Sequence, residues 1–411
     1  MTSDKPESIW SRAFALLCLA EFLGYAQHFI LQPTFPLYIT HLGGSPFVVG
    51  LVIASFGVTS VISRPIIGYW ADRWSETGVM ILGLLTQTIS IAFCFLPFAG
   101  ATMFANGLRG IGWSGMNTGG YTLLATAAPV DRRGEASGYY GGVQSAATII
   151  FPAVALWIID AHFGGFGAAF LVAMSLVLAG AVAAYALSRA VPQRSRHAQV
   201  QPTEAWWREI INVFDRHILL AAALLFTLHL SLPCLSSFVV LYARQLGISH
   251  FGWYYVAIGV TSTLARPLLG RLSDKIGCGR SLIVAFILET IALLLLSIVG
   301  TLVGVILSGS LYFMGSAIGG SRILALAMEQ APVERRGRAM ASFSVSFPLS
   351  NGAGALLNGF VVDLAGYRWM YITAAVMCFW PIADMETVVE AKMSSAAIDH
   401  GRVVVAVDKM S

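Results

Sequence analysis

Gly57-Val-Thr-Ser-Val-Ile-Ser-Arg64-Pro65-Ile-Ile-Gly68-Tyr-Trp-Ala-Asp72-Arg73 returns later in the same chain as Gly259-Val-Thr-Ser-Thr-Leu-Ala-Arg266-Pro267-Leu-Leu-Gly270-Arg-Leu-Ser-Asp274-Lys275. A second pair, Pro129-Val-Asp-Arg-Arg-Gly134 and Pro332-Val-Glu-Arg-Arg-Gly337, follows farther along each copy. The offset is 202 residues for the first pair and 203 for the second. A register held over that distance marks an internal duplication, which has to be read before any single motif. Both repeated patches are short and charged and lie between long apolar runs. Two like halves of this kind are the expected plan of a membrane transporter.

Composition points the same way. Hydrophobic residues make up 57% of the 411 positions and charged residues 11%, with a mean hydropathy of +0.74. Soluble domains carry about 25% charged residues, so this chain cannot dress a water-facing surface and reads as an integral membrane protein. The net charge of +4 is not gathered into a basic stripe with interleaved aromatics, which excludes a nucleic-acid-binding surface as the leading reading. Cys18, Cys94, Cys234, Cys278 and Cys378 are scattered without metal-ligand spacing, so neither a metal site nor a disulfide framework is expected. No nucleophile–base pairing or cofactor motif stands out, and the chain is expected to be no enzyme and to need no cofactor.

A helix needs about 20 apolar residues to cross the hydrocarbon core. Apolar runs bounded by charge or by Gly/Pro clusters lie near 13–40, 47–70, 79–99, 102–128, 136–159 and 167–188, then near 218–243, 251–270, 281–299, 302–331, 339–362 and 367–383. The expected fold is an all-α membrane protein, with twelve transmembrane helices in two six-helix repeats. Its parts are an N-terminal six-helix bundle over 1–188, a cytoplasmic linker over 189–217, a C-terminal six-helix bundle over 218–383 and a cytoplasmic tail over 384–411. One set of loops holds Arg73, Arg132, Arg133, Arg271, Lys275, Arg280, Arg335, Arg336 and Arg338, whereas the opposite set holds Arg244 and Arg368. Basic residues stay on the cytoplasmic side, so the first set, the linker and both termini are expected to be cytoplasmic, in an inner membrane.

The repeated loops resemble those of the major facilitator superfamily, whose signature between the second and third spans is a Gly, three residues, an Asp, a basic residue, a Gly and further basic residues. The second copy is the fuller match, with Gly270, Asp274, Lys275, Gly277 and Arg280; the first keeps Gly68, Asp72 and Arg73 and has Ser75 where the next Gly is expected. The resemblance covers nearly the whole chain and implies a central cavity lined by spans 1, 4, 7 and 10. Acids at these helix ends can pair with basic neighbours or cap a helix, which would make the loops a gate whose contacts change between states. Arg64 and Arg266 occur in both halves and are expected to serve scaffold or gate.

Residues that occur once are the candidates for substrate and protons. Glu21, Tyr25, His28 and Gln32 are spaced four, three and four apart in span one, along one helical face. Intramembrane charge costs about 2.5–3.5 kcal/mol on insertion scales, so this stripe should face the protein interior. Arg109, Trp113 and Asn117 share a face of span four; His229 lies in span seven and Arg322 in span ten. Glu289, in span nine, ranks lower because the resemblance places that span at the periphery. A carboxylate and histidines can handle protons, and an arginine can hold an anionic group in two-pronged fashion. The alternative is a buried structural pair of Glu21 with Arg109. The expected function is secondary active transport of a small organic solute, anionic or zwitterionic, by a monomer through proton-coupled efflux. Proton-coupled uptake of an organic acid is the alternative, followed by a non-transporting receptor or assembly factor on the same frame. The exporter signatures that the resemblance implies are incomplete: Asn106-Gly-Leu-Arg109-Gly110 stands in span four, and Phe151-Pro152-Ala153 in span five.

Overall fold

The computed structural model describes residues 9–127, 129, 132–161, 164–190, 218–330 and 336–380; side chains at 72, 271, 272, 274, 278 and 336–342 are not described within it. The expected linker core and tail therefore lie outside the described residues. Among those residues there are helices and no strands. In chain order they are α1 (Arg12–His41), α2 (Pro46–Arg73), α3 (Glu76–Phe93), α4 (Ala99–Ala127), α5 (Arg133–Asp160) and α6 (Phe166–Ala190). The second half has α7 (Leu219–Leu230, a π-helical turn over Cys234–Phe238, then Val239–Gln245), α8 (Gly252–Ile276), α9 (Cys278–Ile298), α10 (Leu302–Gln330) and α11 (Arg336–Ala365). A last helix, α12, runs over 367–380.

Local sequence explains the helix ends. Ser11 and Ser75 accept hydrogen bonds from the backbone N–H of Phe14 and Gly78, each at 3.1 Å, satisfying donors that a helix start leaves orphaned. Leu42-Gly43 after α1 returns as Leu246-Gly247 after α7, and both glycines take positive φ, 80° and 68°, the left-handed exit that closes a helix. The break in α7 follows Pro233, which offers no N–H to the ladder.

Among the described residues, nine helices are long and apolar enough to cross a membrane; α4, α8 and α12 are not among them. The first two fail on composition for a physical reason. Helix α4 is rich in glycine and carries Asn106, Arg109 and Asn117, and it is packed between α2 and α3. A methyl group at Gly83 on α3 would meet the backbone of Met116, Gly112 and Gly115, so these helices touch backbone to backbone. Helix α8 ends in charge, with Arg266 and Lys275.

Each half has its own apolar core. The halves meet along two seams, α2 against α11 and α5 against α8. Both seams close at the end remote from the repeated charged loops. There Gly50 abuts the backbone of Ala355, Gly57 that of Pro348, Gly359 that of Pro46, and Gly259 the side chain of Ile149. Ile39, Val49, Val52 and Leu156, all near that end, join the second half's core. Asp363 accepts from Ser45 at 2.8 Å and from the Phe47 N–H at 3.3 Å, and Arg244 pairs with Asp160.

The charged-loop end is open by the same measure. Side chains added at Gly68, Gly134, Gly138, Gly141, Gly142 or Gly270 would meet nothing within 4 Å among the described residues. Among the described residues no helix closely approaches Gly68 or Gly270, so the halves stand apart there in this state. Arg73 lies over the Tyr69 ring at 4.6 Å, Gly277 breaks the chain between α8 and α9 with φ 91°, and Lys275 and Arg280 are exposed. The Asp72 and Asp274 side chains lie outside the described residues.

Candidate functional site

The stripe on α1 and the stripe on α4 meet. Tyr25 donates to Asn117 Oδ1 at 3.1 Å, and its ring lies 4.7 Å from that of Trp113. His28 also stacks on Trp113, at 4.2 Å. The Arg109 guanidinium reaches His28 Nδ1 at 2.8 Å, where the neutral imidazole serves as acceptor, and donates to Asn106 Oδ1. Its charge also lies over Phe56 and Phe35, at 4.9 and 5.2 Å from the ring centroids. Five of the sequence-predicted residues thus form one contiguous cluster, layered from Asn117 through Tyr25, Trp113 and His28 to Arg109.

Exposure is graded through that cluster. Tyr25, Trp113, Asn117 and His28 are half-buried, whereas Arg109 retains 4% of its surface. Among the described residues no carboxylate pairs with Arg109. A buried guanidinium normally requires a counter-charge; here aromatic faces and two neutral acceptors stand in for one, and Nε is left without a partner.

Glu21 lies on the same face of α1, about two turns from His28, and does not reach Arg109. It is fully buried and accepts from Gln144 Nε2 of α5 at 3.2 Å. Its other oxygen and the Tyr140 hydroxyl converge on Gly120 of α4, where a methyl group would stand 2.9 Å from Glu21 Oε2. Neither Oε2 nor the Tyr140 hydroxyl has a well-formed hydrogen-bond partner. The Glu21–Arg109 ion pair considered from the sequence is not formed, because Glu21 meets α4 at Gly120 and Arg109 meets α1 at His28, roughly 16 Å farther along α4. Tyr121 caps the arrangement edge-on to Tyr140 at 5.5 Å.

The remaining predicted residues stay apart from the cluster. Gln32 is half-buried. His229 Nδ1 lies 3.1 Å from the Leu225 carbonyl, with its ring edge-on to Phe347. Arg322 sits 4.0 Å from Glu329. The sequence reading missed Tyr140 and Gln144, although their four-residue spacing on α5 was a legible signal of a polar helical face. It assigned Arg64 and Arg266 to scaffold or gate. Both lie within electrostatic range of Tyr25, and Arg266 also of His229. Arg64 donates to the Ser344 carbonyl and hydroxyl at 3.1 and 3.0 Å; Arg266 is exposed.

Among the described residues no group of three or more His, Cys, Asp or Glu side chains could hold a metal ion. The arrangement suits a polar–aromatic binding face backed by a buried carboxyl.

Comparison with known proteins is consistent along the whole chain. The family model described as Major Facilitator Superfamily matches residues 17–332 and 251–380. The multi-drug resistance efflux pump PmrA of Streptococcus pneumoniae is 24% identical over 399 residues, which are 93% of this chain and 98% of PmrA. The multidrug resistance protein MdtG of Citrobacter koseri is 27% identical over 403 residues, 92% of this chain and 95% of MdtG. Among solved structures, a bacterial homolog of the human lysosomal transporter Spinster has a TM-score of 0.75 at 13% identity, covering 92% of this chain and 96% of that one. The nucleoside transporter NupG has a TM-score of 0.71 at 13% identity, covering 90% of this chain and 98% of its own. At such identities these structures establish the fold alone.

Proposed function

The chain belongs to the major facilitator superfamily, and from that premise we propose that this multi-pass membrane transporter exports a small organic solute in exchange for protons. The observation that carries the reading is the asymmetry of the seams: sealed at one end by glycine–backbone contacts and open at the end bearing the charged loops. With basic loops on the cytoplasmic side, of an inner membrane that both termini also face, the open end faces the cytoplasm. An exporter loads its solute from that state and an importer unloads into it, so the direction is taken from the relatives PmrA and MdtG. Rocking the halves about the two seams would release the solute on the other side, as alternating access requires.

The half-buried faces of Tyr25 and Trp113 with the Asn117 amide offer a flat apolar surface and one directional polar group. Arg109 beneath His28 makes that surface electropositive, which favours an anionic or zwitterionic solute. Glu21 supplies the proton site, where α1 meets Gly120 of α4 and Gln144 of α5, so that protonation and solute binding act on the same helix about two turns apart. The names of PmrA and MdtG support efflux.

The test is reconstitution of the chain in proteoliposomes with an imposed pH gradient and a panel of anionic, zwitterionic and cationic fluorescent solutes. Gradient-driven transport of an anionic or zwitterionic member is expected, and Glu21→Gln should abolish it while leaving solute counterflow intact. Gradient coupling retained in Glu21→Gln would remove Glu21 from the proton path, and transport confined to lipophilic cations would overturn the substrate class.

A further inference from the structure

The offset of 202 carries Gln87 of α3 onto Glu289 of α9, and the packing confirms that they occupy equivalent places. A methyl group at Gly112 of α4 would meet the Gln87 Cγ and the Gly83 carbonyl; at Gly315 of α10 it would meet the Glu289 Cγ, at 3.1 Å, and the Ala285 carbonyl. The chemistry then diverges. Gln87 is locked as an amide, hydrogen-bonded with Gln27 of α1 and 3.8 Å from the Met116 sulfur. Glu289 is an acid in the same socket, fully buried.

No basic side chain pairs with it among the described residues. Its Oε1 has no partner, and its Oε2 lies 3.7 Å from the Cys378 thiol of α12. The thiol is 3.4 Å from the Ser231 hydroxyl of α7, which is 2.8 Å from the Tyr312 hydroxyl of α10. Cys378 and Tyr312 are the titratable groups that face the carboxyl, with Cys234 of α7 behind them. His229, also on α7, is directed to Leu225 and Phe347 instead. Ser231 and Cys378 in turn line a narrow crevice between α7, α11 and α12, together with Thr227, Asn358 and Met377. Asn358 Nδ2, on its wall, is buried without a partner.

An isolated carboxylate in such a place is prohibitively costly, so the group carries a proton when the socket is closed. Mere packing gives no reason for an acid there, because the first half fills the same socket with an amide. We propose that Glu289 is a second proton-binding site, loaded and unloaded through Ser231 and Cys378 from the α7–α11–α12 crevice. The crevice is too tight for a water in this state, and loading occurs when it opens: the thiol passes its proton to the Glu289 carboxylate and takes the Ser231 hydroxyl proton, which an entering water replaces. Unloading reverses each step. The inference rests on the proton-coupled reading above, but it names a site in the other half.

Infrared difference spectra between acid and alkaline pH, recorded on the full chain in detergent, read protonated carboxyls directly. Wild type should lose two carboxyl C=O signals on alkalinisation, Glu289→Gln should lack one of them and Glu21→Gln the other. Cys378→Ala should shift the Glu289 signal and leave that of Glu21 in place. Gln is native to the equivalent position, so Glu289→Gln is expected to fold. If Glu289→Gln removes no pH-sensitive signal, the site is not a proton site. If instead Glu21→Gln removes none while Glu289→Gln does, the Glu21 assignment fails and this one stands.

Discussion

The two halves share a frame and differ in what they bury. In the first, the middle of α4 carries Arg109, held by His28, Asn106 and two aromatic faces. The offset of 203 puts Tyr312 at that place in the second half, where a neutral hydroxyl bonds to Ser231. At the neighbouring socket the roles reverse, with neutral Gln87 in the first half and the acid Glu289 in the second. The duplication therefore fixes where a polar side chain is accepted, and divergence decides its charge. Glycines set the sockets, since Gly112 and Gly315 let α4 and α10 approach their partners closely enough to enclose a single side chain.

The largest effect should come from filling those sockets. Gly112→Leu and Gly315→Leu force a side chain into the backbone of α3 and α9, and each should abolish folded yield in size-exclusion profiles, since even modest overpacking costs about 1–3 kcal/mol. Loss in one variant and normal folding in the other would break the equivalence of the two halves. Next in size is Arg109→Lys. An ammonium cannot bridge His28 and Asn106 while lying flat between Phe35 and Phe56, so the variant should lose about 1.5–3 kcal/mol in reversible unfolding in detergent. Its counterpart Tyr312→Phe removes a neutral hydroxyl that bonds Ser231 and the Leu228 carbonyl, at about 0.5–1.5 kcal/mol for a neutral hydrogen bond. An equal loss in both would show that charge at this place adds nothing.

The seams offer a smaller test. Arg64 ties α2 to α11, whereas the equivalent offset from its partner Ser344 falls on Gly141 of α5, which offers Arg266 no hydroxyl. Distances between spin labels at the charged-loop ends should therefore lengthen in Arg64→Ala and stay unchanged in Arg266→Ala. Smallest of all, Asp160→Asn breaks the half-exposed pair with Arg244; exposed pairs contribute about 0–1 kcal/mol. A slight gain in the outward-open population is the expected reading from the same labels.

The sequence by itself determined the membrane class, the duplication and a polar face on each of α1 and α4, because helical period and apolar length act within one segment; that both faces line one cavity was what the family resemblance implied. Tyr25, His28, Arg109, Trp113 and Asn117 could be marked for this reason, and they do come together. Only the tertiary structure decided which way Glu21 turns, since Tyr140, Gln144 and Gly120 reach it from two other helices. The same holds for Glu289: its segment alone reads as an apolar helix, which the resemblance sets at the periphery, and its isolation becomes visible only when α7, α10 and α12 close around it. The open end is a third such case, because Gly57 and Gly68 are alike in sequence. One abuts the Pro348 backbone and the other faces empty space, a difference that belongs to how two rigid halves are set against each other and that no local pattern encodes.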